Sequence, residues 1–204
     1  MRIAIIGSGT VGTSLANGLA RHGHDVMLGT RDTHKAAVTE FVSASDGRGM
    51  AGSYADAARF GDVIITAYPG ALVEETVAAM EPENLAGKIV IDAVNPVSRV
   101  GGEVNAAYGE DDSAAEVLQR AVPSARVVKA YNTTMPERMV DPDPNGPTTM
   151  RIAGNDADAK AEVTALLAST GWNVRDLGGL DQARRLELQV VGWMQRSDDD
   201  PPTN

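Results

Sequence analysis

Short apolar runs rich in β-branched residues alternate along this chain with stretches whose apolar positions recur at helical spacing. That alternation is the pattern of a parallel sheet covered by helices. Strands are predicted over residues 2–6, 25–28, 62–67, 88–93, 126–130, 149–153 and 172–176, with a short one at 50–51. Helices are predicted from the turn after the first strand to residue 21, and over 34–44, 54–60, 72–80, 114–121, 157–169 and 180–195. His22-Gly-His24 stops the first helix, because glycine is the usual C-terminal breaker. Residues 141–147 carry three prolines and are predicted as loop. The fold class that follows is α/β, a doubly wound and mainly parallel sheet. Residues 1–122 form its nucleotide-binding part and 123–196 a short C-terminal α/β lobe that completes the sheet. Residues 197–204 form a disordered acidic tail.

The loop between the first strand and the first helix reads Gly7-Ser8-Gly9-Thr10-Val11-Gly12. In that context a G-x-G-x-x-G spacing has a physical meaning. The first glycine allows the tight turn, the second lets a pyrophosphate approach the backbone, and the third lets helix and strand pack. The helix N-terminus presents free N–H groups and the positive end of its dipole to phosphate oxygens. The sheet is therefore expected to be Rossmann-like.

The end of the second strand selects the dinucleotide. An NAD site carries a carboxylate there, on the ribose hydroxyls. This chain has Thr30 and Arg31, with Lys35 four residues on. A hydroxyl and a guanidinium fork suit the 2′-phosphate of NADP, and Lys35 adds a second positive charge. Asp32 beside them leaves NAD as the alternative.

In such sheets ligands sit outside the carboxyl ends of the strands. Those ends carry Ala67-Tyr68-Pro69-Gly70, Ala93-Val94-Asn95-Pro96 and Ala130-Tyr131-Asn132-Thr133-Thr134-Met135-Pro136. Separately each can be turn chemistry; together they form a polar floor for a nicotinamide ring. No nucleophile–base arrangement or carboxylate pair is legible, and no catalytic residue is assigned. Lys129 and Tyr131 are expected to pack rather than to donate protons. His22 and His24 fall at the opposite end of the sheet and His34 near the adenosine end. Hydride exchange between two stacked rings needs orientation more than an acid, so this composition points to a redox cofactor pair.

Composition narrows the field further. The 204 residues carry 18 Lys and Arg against 28 Asp and Glu, a formal charge of −10, so general affinity for nucleic acid or anionic membranes is not expected. There is no cysteine, and the three histidines make no metal site. No run approaches a membrane span, and the apolar start is too short for a signal peptide; a cytoplasmic protein is expected.

These motifs resemble the coenzyme F420-dependent NADP oxidoreductases. The likeness spans most of residues 1–190: the Gly7–Gly12 turn, Gly29-Thr30-Arg31 with Lys35, Asn95-Pro-Val-Ser-Arg99, Val128-Lys-Ala-Tyr-Asn-Thr133 and Asp176-Leu-Gly-Gly-Leu-Asp-Gln-Ala-Arg184. The last two also look like the reductase domain of the STEAP metalloreductases. The resemblance implies hydride transfer between NADP(H) and the deazaflavin coenzyme F420 in a homo-oligomer, here a homodimer. It places Thr30, Arg31 and Lys35 on the 2′-phosphate and Tyr68, Pro69, Asn95 and Pro96 around the nicotinamide. Asn132, Thr133, Thr134 and Met135 would border the deazaflavin. Two alternatives stand beside it: an NADPH-dependent reductase that uses a flavin on a quinone or metal chelate, and a non-catalytic NADP sensor.

Overall fold

The computed structural model describes residues 1–101 and 103–199. Its first strand, β1 (Arg2–Ile6), is apolar on both faces. Ile3 and Ile5 enter one layer of the core, Ala4 and Ile6 the other. Such a strand is stable only in the middle of a sheet covered on both sides. The same alternation recurs in β4 (Val63–Thr66), β5 (Ile89–Asp92) and β8 (Arg126–Lys129).

Flanking them are β2 (Asp25–Gly29) and β3 (Gly49–Gly52) on one side and β9 (Thr149–Gly154) and β10 (Asn173–Asp176) on the other. The eight strands form one sheet in the order β3-β2-β1-β4-β5-β8-β9-β10. The first six are parallel, in the arrangement of a doubly wound dinucleotide fold. β9 then pairs antiparallel to β8, and β10 runs parallel to β9. The expected break between residues 122 and 123 falls between α5 (Ala114–Ala121) and β8, and the sheet crosses it without interruption.

Helices α1 (Thr10–Arg21), α2 (Ala36–Ala44) and α6 (Ala157–Ser169) cover one face through Leu15, Leu19, Val38, Phe41, Val163 and Leu167. The other face is covered by α3 (Tyr54–Phe60), α4 (Val73–Met80), α5 and the start of α7 (Gln182–Asp199). Burying each of these large side chains contributes roughly 1.5–3 kcal/mol. Ends are set locally: Gly23 at φ +84° follows the C-cap of α1, and Ser53 with Asp56 closes a capping box on α3.

Two elements differ from expectation. The stretch after Asn95-Pro96 folds as an antiparallel hairpin, β6 (Val97–Val100) with β7 (Glu103–Ala106), where the sequence pattern predicts no strand. The cue was present, since Gly101-Gly102 between two alternating segments is a hairpin signal, but four-residue strands with half their positions polar carry little pattern. The last helix also runs to Asp199, so the first three positions of the expected tail are helical, and 200–204 lie outside the described residues.

Candidate functional site

The turn after β1 and the loop after β4 meet at the point where strand order reverses. Gly7 has φ +121°, and a side chain there would run into the Ala67 carbonyl. Gly12 is buried against the Gly7 carbonyl, so any Cβ would push helix and strand apart. Gly9 differs: a Cβ there would meet nothing within 4 Å. It is the N-cap of α1, and no side chain caps it. The first turn of α1 thus faces open space with its backbone donors uncommitted to any side chain, the arrangement a pyrophosphate requires.

A groove of about 490 Å³ runs along this turn, lined by Gly7, Ser8, Gly9, Thr10, Val11, Thr30, Arg31, Asp32, Lys35, Tyr54, Ala67, Tyr68 and Pro69. It gathers eleven of the fourteen expected cofactor residues. Of the other three, Gly12 lies beneath it as a packing glycine, and Asn95 and Pro96 form the next strand end.

Thr30 is buried, and its hydroxyl lies 2.8 Å from the Ser8 hydroxyl, tying the phosphate turn to the end of β2. Lys35 donates to the Ser8 carbonyl at 2.8 Å. It is the N-cap of α2 rather than a residue inside that helix, and its side chain reaches back over the turn. The exposed Arg31 guanidinium shares this rim of the groove. Asp32 lines it too, but its Oδ1 accepts from the His34 backbone N–H at 2.9 Å, a local turn that occupies the carboxylate. Tyr54, which the sequence reading placed only as a helix start, puts an aromatic side chain into the same rim.

The second row of expected residues is joined by amides. Asn95 Nδ2 donates to the Asn132 carbonyl at 2.9 Å, and Asn132 Nδ2 donates to Asn95 Oδ1 at 3.0 Å and to the Leu186 carbonyl at 3.1 Å. Asn132 Oδ1 is buried without a hydrogen-bond partner, an arrangement that usually marks a ligand or strain. Just before it, Tyr131 adopts φ +66°, costly for a non-glycine residue and found at sites the surroundings over-determine. Thr133 and Thr134 are half-buried and Met135 is 65% exposed, an apolar surface beside the amide pair.

Beneath this floor lies a charged cluster that sequence reasoning missed. Thr66, Asp92 and Lys129 are register partners across β4, β5 and β8, and all are buried. Lys129 Nζ donates to Asp92 Oδ2 at 2.8 Å, to Glu187 Oε1 at 2.6 Å and to the Val94 carbonyl at 2.6 Å. Burial alone would depress the lysine, yet the two carboxylates outweigh it and hold its pKa above the ordinary value. Burial pushes the Glu187 carboxyl up, opposed by Lys129. The expectation that Lys129 merely packs is therefore refined: it is buried, but as an ion. A carboxylate pair exists after all, brought together from residues 95 positions apart. Tyr131 does pack, fully buried in the core.

The hydroxyl of Tyr68 is buried beside Thr66 and Asp92, without a well-aligned partner. Burial drives its pKa well above that of a free phenol, so near neutrality it offers a hydrogen bond and not an ionisable acid. His22 stays clear of the site, paired with Asp141 at 2.6 Å, while His34 touches the groove's rim only through its backbone N–H on Asp32. Among the described residues no group of His, Cys, Asp and Glu could hold a metal ion, and no helix is long and apolar enough to cross a membrane.

Comparison with known proteins agrees with this geometry. Residues 2–96 match the family described as NADP oxidoreductase, coenzyme F420-dependent. An F420-dependent NADP reductase of Methanothermobacter marburgensis is 31% identical over 199 residues, covering 92% of this chain and 88% of that protein. A crystal structure from Arthrobacter sp. FB24, of a protein assigned as an F420-dependent NADP reductase, superposes with a TM-score of 0.89 at 35% identity, covering 97% of this chain and 93% of that one. The metalloreductase STEAP3 of Rattus norvegicus is 27% identical over 91% of this chain, which spans only 36% of that protein. On fold, phosphate turn and full-length similarity together, the chain belongs to the family of coenzyme F420-dependent NADP oxidoreductases.

Proposed function

We propose that this protein transfers hydride between NADP(H) and the deazaflavin coenzyme F420. The observation that carries the nucleotide half is the rim of the groove. Thr30, Arg31 and Lys35 converge there with the phosphate turn, and the one carboxylate among them is engaged in its own turn. The donor set fits a 2′-phosphate: two cations and a hydroxyl outweigh the single carboxylate of Asp32, one oxygen of which is held by the His34 backbone N–H. Tyr54 would flank the adenine end. At the other end, Tyr68 and Pro69 lie against the ring side, with Asn95 and Pro96 behind them.

When both are bound, the nicotinamide and the deazaflavin would supply the redox chemistry, a two-electron hydride transfer. The chain's share is orientation. The glycine turn and α1 fix the pyrophosphate, the Asn95–Asn132 amide pair holds two strand ends at constant separation, and the orphaned Asn132 Oδ1 awaits a donor. Residues 132–135, with the exposed Met135, are the proposed seat of the deazaflavin, so residues 123–196 provide the second-cofactor side and 1–122 the nucleotide side. No acid or base is required, which agrees with a floor of amides, hydroxyls and a high-pKa phenol.

The test is a mixing experiment that follows the nicotinamide absorbance band. NADPH with oxidised F420 should be consumed stoichiometrically, whereas NADPH with a flavin should not. Consumption with flavin alone would transfer the reading to the flavin-using class, and tight NADPH binding without turnover by either acceptor would make the protein a sensor. We also place the protein in the cytoplasm as a homodimer, a reading that follows its likeness to the F420-dependent NADP reductases. Sedimentation should give twice the 21.3 kDa chain mass; a monomer across the micromolar range would overturn the dimer.

A further inference from the structure

The Asp92–Lys129–Glu187 cluster has more negative than positive charge, and among the described residues no second buried cation restores the balance. The ammonium is saturated by its three acceptors. Asp92 Oδ1 accepts from the Thr66 hydroxyl at 2.8 Å and from the Val94 backbone N–H at 3.2 Å. Glu187 Oε2 accepts from the Ala114 backbone N–H at 3.1 Å, at the start of α5. Both carboxylates thus keep donors suited to their ionised form, and two anions against one cation leave a net charge of −1. The neighbouring Arg184–Glu116 pair, closed at 2.6 Å, cancels its own charge. So does the Arg120–Asp112 pair.

Three links connect this charge to the ring side of the site. Tyr68 lines the groove while its hydroxyl sits beside Asp92. The Val94 carbonyl held by Lys129 is one residue from Asn95. The Leu186 carbonyl that receives Asn132 is one residue from Glu187. Asp92, Lys129 and Glu187 are 1%, 0% and 4% exposed, so water and salt screen their field weakly.

Loss of hydride turns a neutral dihydronicotinamide into a cationic pyridinium ring, the two electrons and the proton leaving together to the acceptor ring. A fixed negative charge near the ring attracts the cationic form far more strongly than the neutral one. We propose that Asp92, Lys129 and Glu187 together act as a buried electrostatic element of net charge −1 that tightens NADP⁺ binding relative to NADPH and so makes the bound pair a stronger hydride donor. This rests on the NADP reading above. The three residues are positioning groups with an electrostatic action; none touches the reacting atoms.

The experiment measures dissociation constants for NADP⁺ and NADPH separately, by calorimetry and by quenching of tryptophan fluorescence, on wild type, Glu187→Gln, Asp92→Asn and Glu187→Asp. The first two variants remove the excess charge by different routes, and the third keeps it. In each neutralised variant the ratio Kd(NADP⁺)/Kd(NADPH) should rise about tenfold, the order one unit charge exerts through a protein interior. For a two-electron couple tenfold corresponds to about 30 mV. Glu187→Asp should leave the ratio within about twofold of wild type, and circular dichroism confirms that each variant is folded.

A purely structural cluster would weaken both nucleotides alike, so an unchanged ratio in a folded neutralised variant overturns the proposal. Wild type decides even if the neutralised variants fail to fold: NADPH binding about ten times tighter than NADP⁺ would also overturn it. Wild type that binds neither nucleotide would overturn the functional reading itself, a result distinct from a nucleotide-binding protein with an unmoved ratio.

Discussion

Lys129→Met is expected to cost about 3–5 kcal/mol of folding stability at neutral pH, the range for breaking a buried ion pair by removing one partner. Methionine preserves most of the volume of a side chain that is 0% exposed, so cavity formation contributes little to that figure. The cost is electrostatic. Asp92 and Glu187 would be left facing each other in a dry interior with the Val94 carbonyl deprived of its donor. Two like charges so placed raise each other's pKa, and burial already pushes Glu187 upward.

The sign of the pH dependence follows. A carboxyl whose folded pKa exceeds its unfolded value binds its proton more readily in the native state, so stability falls as pH rises through that interval. The deficit of Lys129→Met should therefore be largest at neutral and alkaline pH and shrink as pH falls toward about 4, the unfolded carboxyl pKa. Urea unfolding of both proteins across that interval checks this. A deficit under about 1 kcal/mol at pH 7, or one that does not shrink in acid, would mean that the lysine is not paired as described.

Arg31→Ala carries the second large effect, on binding and not on folding. Arg31 is exposed at the groove rim, and its loss should leave the melting temperature unchanged. A charge-assisted hydrogen bond to a phosphate oxygen contributes about 1.5–3 kcal/mol, so NADP affinity should fall about 10- to 150-fold. NAD carries no 2′-phosphate, and its binding should hardly change. Titration of both nucleotides against both proteins tests the assignment, and equal losses would remove Arg31 from the 2′-phosphate site. Lys35 is the less informative substitution, because its ammonium is already bonded to the Ser8 carbonyl and its removal disturbs the turn as well as the charge.

How much of this was legible in the sequence divides along a physical line. β1, β4, β5 and β8 were readable because each is short and apolar on both faces, and α3, α5 and α6 match their predicted spans residue for residue. The phosphate turn was readable because its requirements are local: a φ of +121° at Gly7 and a packing contact at Gly12 involve residues close in sequence or in an adjacent loop. Arg31 and Lys35 were readable for the same reason.

The buried triad was not. A lysine ending an apolar strand reads as a packing side chain, and an aspartate ending another strand and a glutamate inside a helix look like ordinary surface residues. Only the register of β5 against β8, together with the docking of α7, places them in contact. Tyr54 was passed over similarly, since nothing in its neighbourhood along the chain distinguishes a groove-lining ring from a core one. The hairpin at 97–106 was missed through weak patterning, although its glycine pair was visible.

The triad also bears on the order in which the molecule can assemble. Its contacts join positions 37, 58 and 73 residues apart, so its closure requires long loops to have been ordered already. Until α7 arrives, the buried lysine has only one of its two carboxylates, and the start of α5 lacks the acceptor for Ala114. Lys129 and Asn132 at the end of β8 therefore gain their last fixed partners, Glu187 and the Leu186 carbonyl, only once α7 has docked.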